Sequence, residues 1–270
     1  MSIEHFENPE AKEEPTLSKV VLLIRHPSVI WAESLLNRAE EEGQDVETHV
    51  PVDTAGLALT RRLSHYFKEN LGSILQQGEL EPQFSIFTSP IKRAKTEADI
   101  VSTNLKLSHT DDSSIPTPAN NEPVISDLFG EVPWVKNKDE ALSLRKESES
   151  RGIPLIQCWY ERNPALVRER FSEELERVKQ ALEKLSQSST DFNIVFSHRL
   201  TIAMVLWLIE KGGEVEEVTD NDAQRILEIG KEIPHTSISE LREYEDAGRK
   251  QWQIISVGET PHIEQNGTVK

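Results

Sequence analysis

The sequence predicts an α/β fold built on a mostly parallel sheet, and two observations lead there. Three short apolar runs, at residues 20–24, 84–87 and 192–196, each break off into residues suited to begin a helix. Strands alternating with helices are the pattern of a parallel sheet covered by helices. The second observation is composition. In 270 residues, 36% hydrophobic content beside 29% charged residues supplies a substantial core and excludes global disorder.

Residues 1–18 are polar and acidic, with Pro9 and Pro15, and read as a disordered lead-in with no apolar run of the signal-peptide kind. Val20, Val21, Leu22, Leu23 and Ile24 are apolar at every position and rich in β-branching, which fits a strand covered on both faces. That strand ends in Arg25-His26-Pro27, and a following proline holds His26 extended. Asp53 or Thr54 caps a helix whose apolar positions include Leu57, Leu59, Leu63, Tyr66 and Phe67. The second strand, Phe84-Ser85-Ile86-Phe87, runs into Thr88-Ser89-Pro90. Ser89 is placed as N-cap and Pro90 in the first turn, ahead of a buried stripe of Ile91, Ala94, Ala98 and Val101. Residues 104–122 read as a Ser/Thr/Asn/Pro-rich loop, followed by a short strand at Val124-Ile125. Residues 133–163 read as a partly helical cap carrying Trp134, Trp159, Tyr160 and Arg162, and a long amphipathic helix follows over 164–187. The third strand, 192–196, ends in Ser197-His198-Arg199 and gives way to a buried helix over 201–211. Two C-terminal strands, 237–244 and 252–257, are joined by a turn at 245–248. The predicted division is a lead-in at 1–18, one domain at 19–263 with its cap at 133–163, and a tail at 264–270.

Ligands of open α/β sheets bind beyond the carboxyl ends of the strands. Arg25, His26 and His198 fall at such ends, and Arg93 sits in the first turn of a helix that begins at one. Helix N-termini add unpaired N–H groups there, which favour an anion. The convergence of these residues, rather than any one of them, points to phosphate chemistry.

The net charge of −17 argues against a nucleic-acid or anionic-membrane surface, both of which select basic patches. It does not oppose a local phosphate site. An arginine about 4 Å from a phosphate contributes roughly 4 kcal/mol at an effective dielectric near 20, whereas carboxylates beyond about 8 Å are largely screened. The single Cys158 excludes an internal disulfide and a cysteine-based zinc cage. The longest apolar stretch, 200–209, is about half a membrane span. A cytoplasmic protein is expected.

The ordered set of motifs resembles the histidine phosphatase superfamily, the phosphoglycerate mutase-like proteins. Leu23-Ile24-Arg25-His26 resembles its nucleophile strand, with Trp31 where many members place a Trp. Asp53-Thr54-Ala55-Gly56 is similar to its "L-T-x-x-G" helix start. The stretch from Thr88 through Ser89, Pro90 and Arg93 to Ala98 is close to "S-S-P-x-x-R-A-x-x-T-A" and is the most specific match. Val195-Phe196-Ser197-His198 resembles the second-histidine strand, and Ile255 to Ile263 the C-terminal ending.

The resemblance implies a three-layer α/β/α sandwich and a phosphatase needing neither metal nor cofactor. His26 is the nucleophile, forming a phosphohistidine. Arg25, Arg93 and His198 clamp the phosphate. Glu131, in Phe129-Gly130-Glu131, is the proton donor, with Asp127 and Glu122 as competitors. The implied partners are a small phosphorylated substrate and inorganic phosphate as product. Pro27, Arg199 and Ala32 depart from the family pattern of Gly or Ala, Gly, and Asn. They motivate two alternatives: a phospho-ligand-binding protein of weak or absent turnover and, ranked lower, a phosphomutase. His235 is a further residue within reach of such a site, and His262 reads as structural. Substrate identity and oligomeric state are not encoded in any of these motifs.

Overall fold

The computed structural model describes residues 15–29, 51–77, 83–111, 116–120, 122–132, 138–153 and 155–264. The expectations for 1–14, for the segment holding Trp31 and Ala32, for Trp134 and for the tail after 264 lie outside the described residues.

Among the described residues, seven strands form one sheet: β1 (Thr16–Arg25), β2 (Gln83–Thr88), β3 (Thr117–Pro118), β4 (Val124–Ile125), β5 (Phe192–Ser197), β6 (Ile238–Asp246) and β7 (Arg249–Glu259). Their order is β3-β2-β5-β1-β6-β7, with β4 also pairing β2. The centre is parallel: β1 lies against β5 with Val20 opposite Phe192 and Arg25 opposite Ser197, and β5 against β2. The β6–β7 hairpin joins antiparallel to the other side of β1. Its turn places Ala247 and Gly248 at φ 49° and 78°, the left-handed pair that a two-residue hairpin requires.

The apolar run of β1 divides between two cores, as its lack of alternation requires. Val20, Leu22 and Ile24 face a cluster with Leu63, Phe67, Phe84 and Phe192. This side is covered by α1 (Thr54–Gln77) and α2 (Lys92–Asp111). Val21 and Leu23 face the opposite cluster, which includes Phe129, Phe171, Val195 and Trp207. That side is covered by α5 (Pro164–Ser186), α6 (Arg199–Glu210) and α7 (Asp220–Lys231). The result is the three-layer α/β/α sandwich expected. The segment before α5 carries α3 (Lys138–Arg151) and α4 (Leu155–Arg162), and a short α8 (Pro261–Glu264) closes the described chain.

Two features depart from the sequence reading. The loop expected from Asn104 begins later, because α2 runs on to Asp111. Leu105 extends the stripe of Ala94, Ala98 and Val101 into the core, and Asn104 Nδ2 donates to Ser64 Oγ on α1 at 2.9 Å, so tertiary contacts override the polar composition. Helix α7 was not anticipated. Its start is a capping box in which the Thr219 hydroxyl accepts from the Asp222 N–H while Asp222 reaches back to the Thr219 N–H.

Candidate active site

Three strand ends place the predicted residues together. The end of β1 delivers Arg25 and His26, and the end of β5 delivers His198. Past β2, the Ser89 hydroxyl accepts from the Ile91 N–H at 3.2 Å, and Arg93 projects from the helix begun there. Arg25, His26 and Arg93 are 6%, 6% and 3% exposed and His198 is fully buried, so the group is a built interior site. The His26 and His198 ring centroids lie 5.1 Å apart.

The tautomer of His26 is fixed by two contacts of opposite sense. Its Nδ1 lies 2.7 Å from the Pro27 carbonyl, which can only accept, so Nδ1 carries the proton. Its Nε2 accepts from Arg93 Nε at 3.2 Å and therefore holds a free lone pair. Burial, reinforced by Arg93, His198, Arg25 and His235, pushes the His26 pKa well below the usual histidine value. The ring is held neutral, with Nε2 unprotonated.

Glu131 is held between Arg93 and His198. Arg93 Nη2 donates to Glu131 Oε2 at 2.6 Å, and His198 Nδ1 lies 2.9 Å from the same oxygen as an electrostatic contact without hydrogen-bond alignment. Burial alone raises the Glu131 pKa, but the adjacent His198 and Arg93 prevail and bring it down to about 2. The loop that presents Glu131 is fixed by side chains from three elements: Ser197 Oγ donates to Phe129 O at 2.8 Å, Thr201 Oγ1 to Gly130 O at 2.5 Å, and Arg177 Nη1 to Leu128 O at 2.8 Å. Asp127 and Glu122, the competing carboxylates, are exposed and do not line the cavity that Glu131 lines.

Two further partners complete the site, Ser89 beyond its expected role and His235 where the sequence placed it within reach. Ser89, expected only as a cap, also bonds His198 Nε2 at 2.8 Å, which leaves Nδ1 to carry the proton facing Glu131. His235 follows α7 and accepts at Nε2 from Arg25 Nη2 at 3.1 Å, while its Nδ1 donates to the His26 carbonyl at 3.0 Å. Burial and the neighbouring Arg25 bring the His235 pKa down to about 4. Arg25 Nη1 also donates to Ile233 O at 2.7 Å. His262 is a structural residue, as expected, buried against the Thr236 hydroxyl at 3.0 Å.

These groups open onto a cavity of about 440 Å³. Arg25, His26, Arg93 and Glu131 form its floor, with Ser28, Val29, Leu155, Ile156, Arg199, Leu200, Lys231 and His235 around them. His198 lies behind the floor. Of the cap residues named from the sequence, Trp159 is fully buried against Phe171, and Arg162 pairs with Glu147. Leu155 and Ile156, one turn earlier on α4, reach the cavity instead.

His26, Glu131 and His198 also place three ligand-type atoms within 4.8 Å of one another. Arg93 contacts two of these residues and Arg25 lines the same floor, so the local potential favours an anion over a cation. Among the described residues, no helix is long and apolar enough to cross a membrane.

No family model and no curated protein matches the chain. Solved structures similar to it include a mutant phosphoserine phosphatase from Entamoeba histolytica in complex with phosphoserine, at 14% identity over 91% of this chain and 99% of that one, TM-score 0.47. Another is a mycobacterial glucosyl-3-phosphoglycerate phosphatase in complex with VO3, at 8% identity over 88% and 97%, TM-score 0.49. A third is a phosphoglycerate mutase from Plasmodium falciparum, at 13% identity over 88% and 99%, TM-score 0.37. The likeness in each case is distant. At these identities and scores it stands beside the site without adding to it, and the chemistry below rests on this chain's own residues.

Proposed function

We propose that the protein is a phosphatase that hydrolyses a phosphomonoester through a phosphohistidine on His26. The observation that carries this is the His26 ring: neutral, protonated at Nδ1, with Nε2 at the floor of a cavity beside Arg25 and Arg93. In-line attack by Nε2 on phosphorus expels the alkoxide, and water then cleaves the P–N bond to release phosphate. Arg93 transfers its donation from Nε2 to the phosphoryl oxygens as the substrate enters. Fixed guanidinium donors of this kind are where phosphoryl-transfer enzymes gain most of their rate.

Glu131 is the proton donor in this reading, and its pKa of about 2 in the empty site sets a condition on that role. A phosphoryl dianion takes the donors of Arg93 and His198 from the carboxylate and sets negative charge beside it. Both effects raise its pKa, so Glu131 takes up a proton as the substrate binds, gives it to the leaving oxygen, and then accepts one from water. With Glu131 displaced, His198 Nδ1–H is free to meet the phosphoryl group. The alternative of binding without turnover is favoured by one observation: Arg25 Nη1 and Nη2 are already engaged by Ile233 and His235.

The test is turnover of phenyl phosphate together with trapping of an acid-labile phosphoenzyme. Wild type is expected to do both, and His26→Ala to lose at least about 10³-fold in kcat/KM with no trapped species. Full activity in His26→Ala ends the mechanism. Phosphate binding with no turnover of any phosphomonoester establishes the binding alternative.

A further inference from the structure

The lining of the cavity includes two cations that the proposed phosphatase chemistry does not use. Arg199 is the first residue of α6, immediately after His198, and Lys231 is the last residue of α7. Both line the cavity. Helix α6 packs on α7 at Gly230, where an added Cβ would meet Arg199 Cγ at 3.6 Å and Ala203 Cβ at 3.8 Å. The arginine stem therefore lies along the last turn of α7, the turn that ends at Lys231.

Neither cation has a partner that accounts for it. No hydrogen bond or ion pair holds either side chain among the described residues, and Arg199 Nε is buried with nothing to donate to. The carboxylate acting on Arg199 is Glu131, already committed to Arg93 and His198, and Lys231 acts at a distance on Glu161 of α4. A part-buried guanidinium without a counter-charge carries an uncompensated desolvation cost, and an anionic ligand removes it.

Charge balance leads to the same conclusion. The cavity lining holds four cations, Arg25, Arg93, Arg199 and Lys231, against the single carboxylate Glu131, a formal +3 with its histidines neutral. A phosphoryl dianion leaves +1 with Glu131 ionised and +2 once Glu131 has taken up its proton, in a chain whose net charge is −17. Val29, Leu155, Ile156 and Leu200 add apolar surface to the same lining. The volume of about 440 Å³ lies within the range of small-molecule sites and exceeds what one phosphoryl group fills.

We infer that Arg199 and Lys231 form a second anion subsite, and that the substrate is a phosphomonoester carrying a further anionic group, a carboxylate or a second phosphate, across a short apolar spacer. This inference rests on the phosphatase reading for its catalytic end only. Because the family pattern places Gly where Arg199 stands, the subsite belongs to this chain.

The experiment compares matched pairs: phosphoglycolate with ethyl phosphate, and butane-1,4-diol bisphosphate with butyl phosphate. Wild type is expected to favour the doubly anionic member of at least one pair by about tenfold or more in kcat/KM, and which pair responds separates carboxylate from phosphate as the second group. In Arg199→Gln that preference falls towards one, mainly through KM, and Arg199→Lys restores part of it. Lys231→Gln, at an exposed position, lowers the preference by a smaller factor. A wild-type preference near one in both pairs, or a preference that survives Arg199→Gln, overturns the subsite.

Calorimetric binding of 3-phosphonopropionate against propylphosphonate separates the two readings. Turnover of the simple esters with no discrimination in either assay leaves the phosphatase standing and sinks the subsite. No turnover, but tighter phosphonopropionate binding that depends on Arg199, sinks the phosphatase and supports the subsite.

Discussion

The two ends of the cavity are built on opposite terms. At the floor, nearly every polar group has more than one protein partner: His26 is held by Pro27 and Arg93, Glu131 by Arg93 and His198, and Arg25 by Ile233 and His235. Elsewhere in the lining, Arg199 and Lys231 have neither hydrogen bonds nor ion pairs among the described residues, and Leu155 and Ile156 belong to a short helix. A floor fixed before the substrate arrives incurs little reorganisation when charge moves, which is what phosphoryl transfer requires. A wall with unspent charge instead gains its counter-charge from the ligand. The contrast separates where a reaction is carried out from where its substrate is chosen.

The comparison breaks most visibly at Glu131. Glu131→Gln keeps the shape of the floor and removes the proton carrier, so kcat on an alkyl phosphate should fall by about 10²–10⁴-fold. Much less of that loss is expected with 4-nitrophenyl phosphate, whose leaving group needs no proton. Equal losses on both substrates would remove Glu131 from the donor role.

Next in size is the ionisation of the floor. Because the His26 pKa is depressed by burial and by Arg93, the ring should stay neutral, protonated at Nδ1, well below pH 6.5. Nitrogen-15 NMR of the imidazoles reads both properties directly, and a His26 midpoint at or above 6.5 would contradict the geometry.

Stability should follow the same sign. His235 and His262 are each brought down to about 4, whereas the unfolded chain takes up these protons near 6.5. Their contribution is full above about pH 6.5 and is lost as the pH falls towards 4. Urea denaturation across that window should show the decline, and His262→Gln should flatten it.

The smallest effect sharpens the contrast rather than breaking it. Ser197→Ala removes the hydroxyl that holds Phe129 O and should cost about 1 kcal/mol in denaturant unfolding. It should also lower kcat more than KM by loosening the presentation of Glu131. A change in KM alone would mean that the loop serves binding.

The floor was legible in the sequence because each of its residues sits beside a local signal: an apolar run ending in Arg25-His26, a Ser89-Pro90 cap before Arg93, and an apolar run ending in Ser197-His198. Strand ends of one parallel sheet converge by topology, so local signals sufficed to gather distant residues. The wall was not legible in this way. Arg199 drew notice only as a departure from a pattern, and Lys231 drew none. Its helix starts at Asp220, with Asp222 closing the capping box where Glu or Gln is usual, and the sequence reading places no helix there. What sets the last turn of α7 against the Arg199 stem is the small side of Gly230, a contact between helices that no spacing along the chain encodes. The last turns of α2 were obscured for a related reason, since Asn104 reads as a loop residue until its bond to Ser64 is seen.

Pro27 stands where the resemblance calls for Gly or Ala and brings no amide hydrogen to the site, yet its carbonyl receives the proton of the imidazole beside it. The orientation of that ring is thus secured by the peptide unit of its immediate neighbour. Replacing one side chain by another leaves such an acceptor in place, so drift elsewhere in the molecule can reshape what enters the cavity while the attacking nitrogen keeps its lone pair.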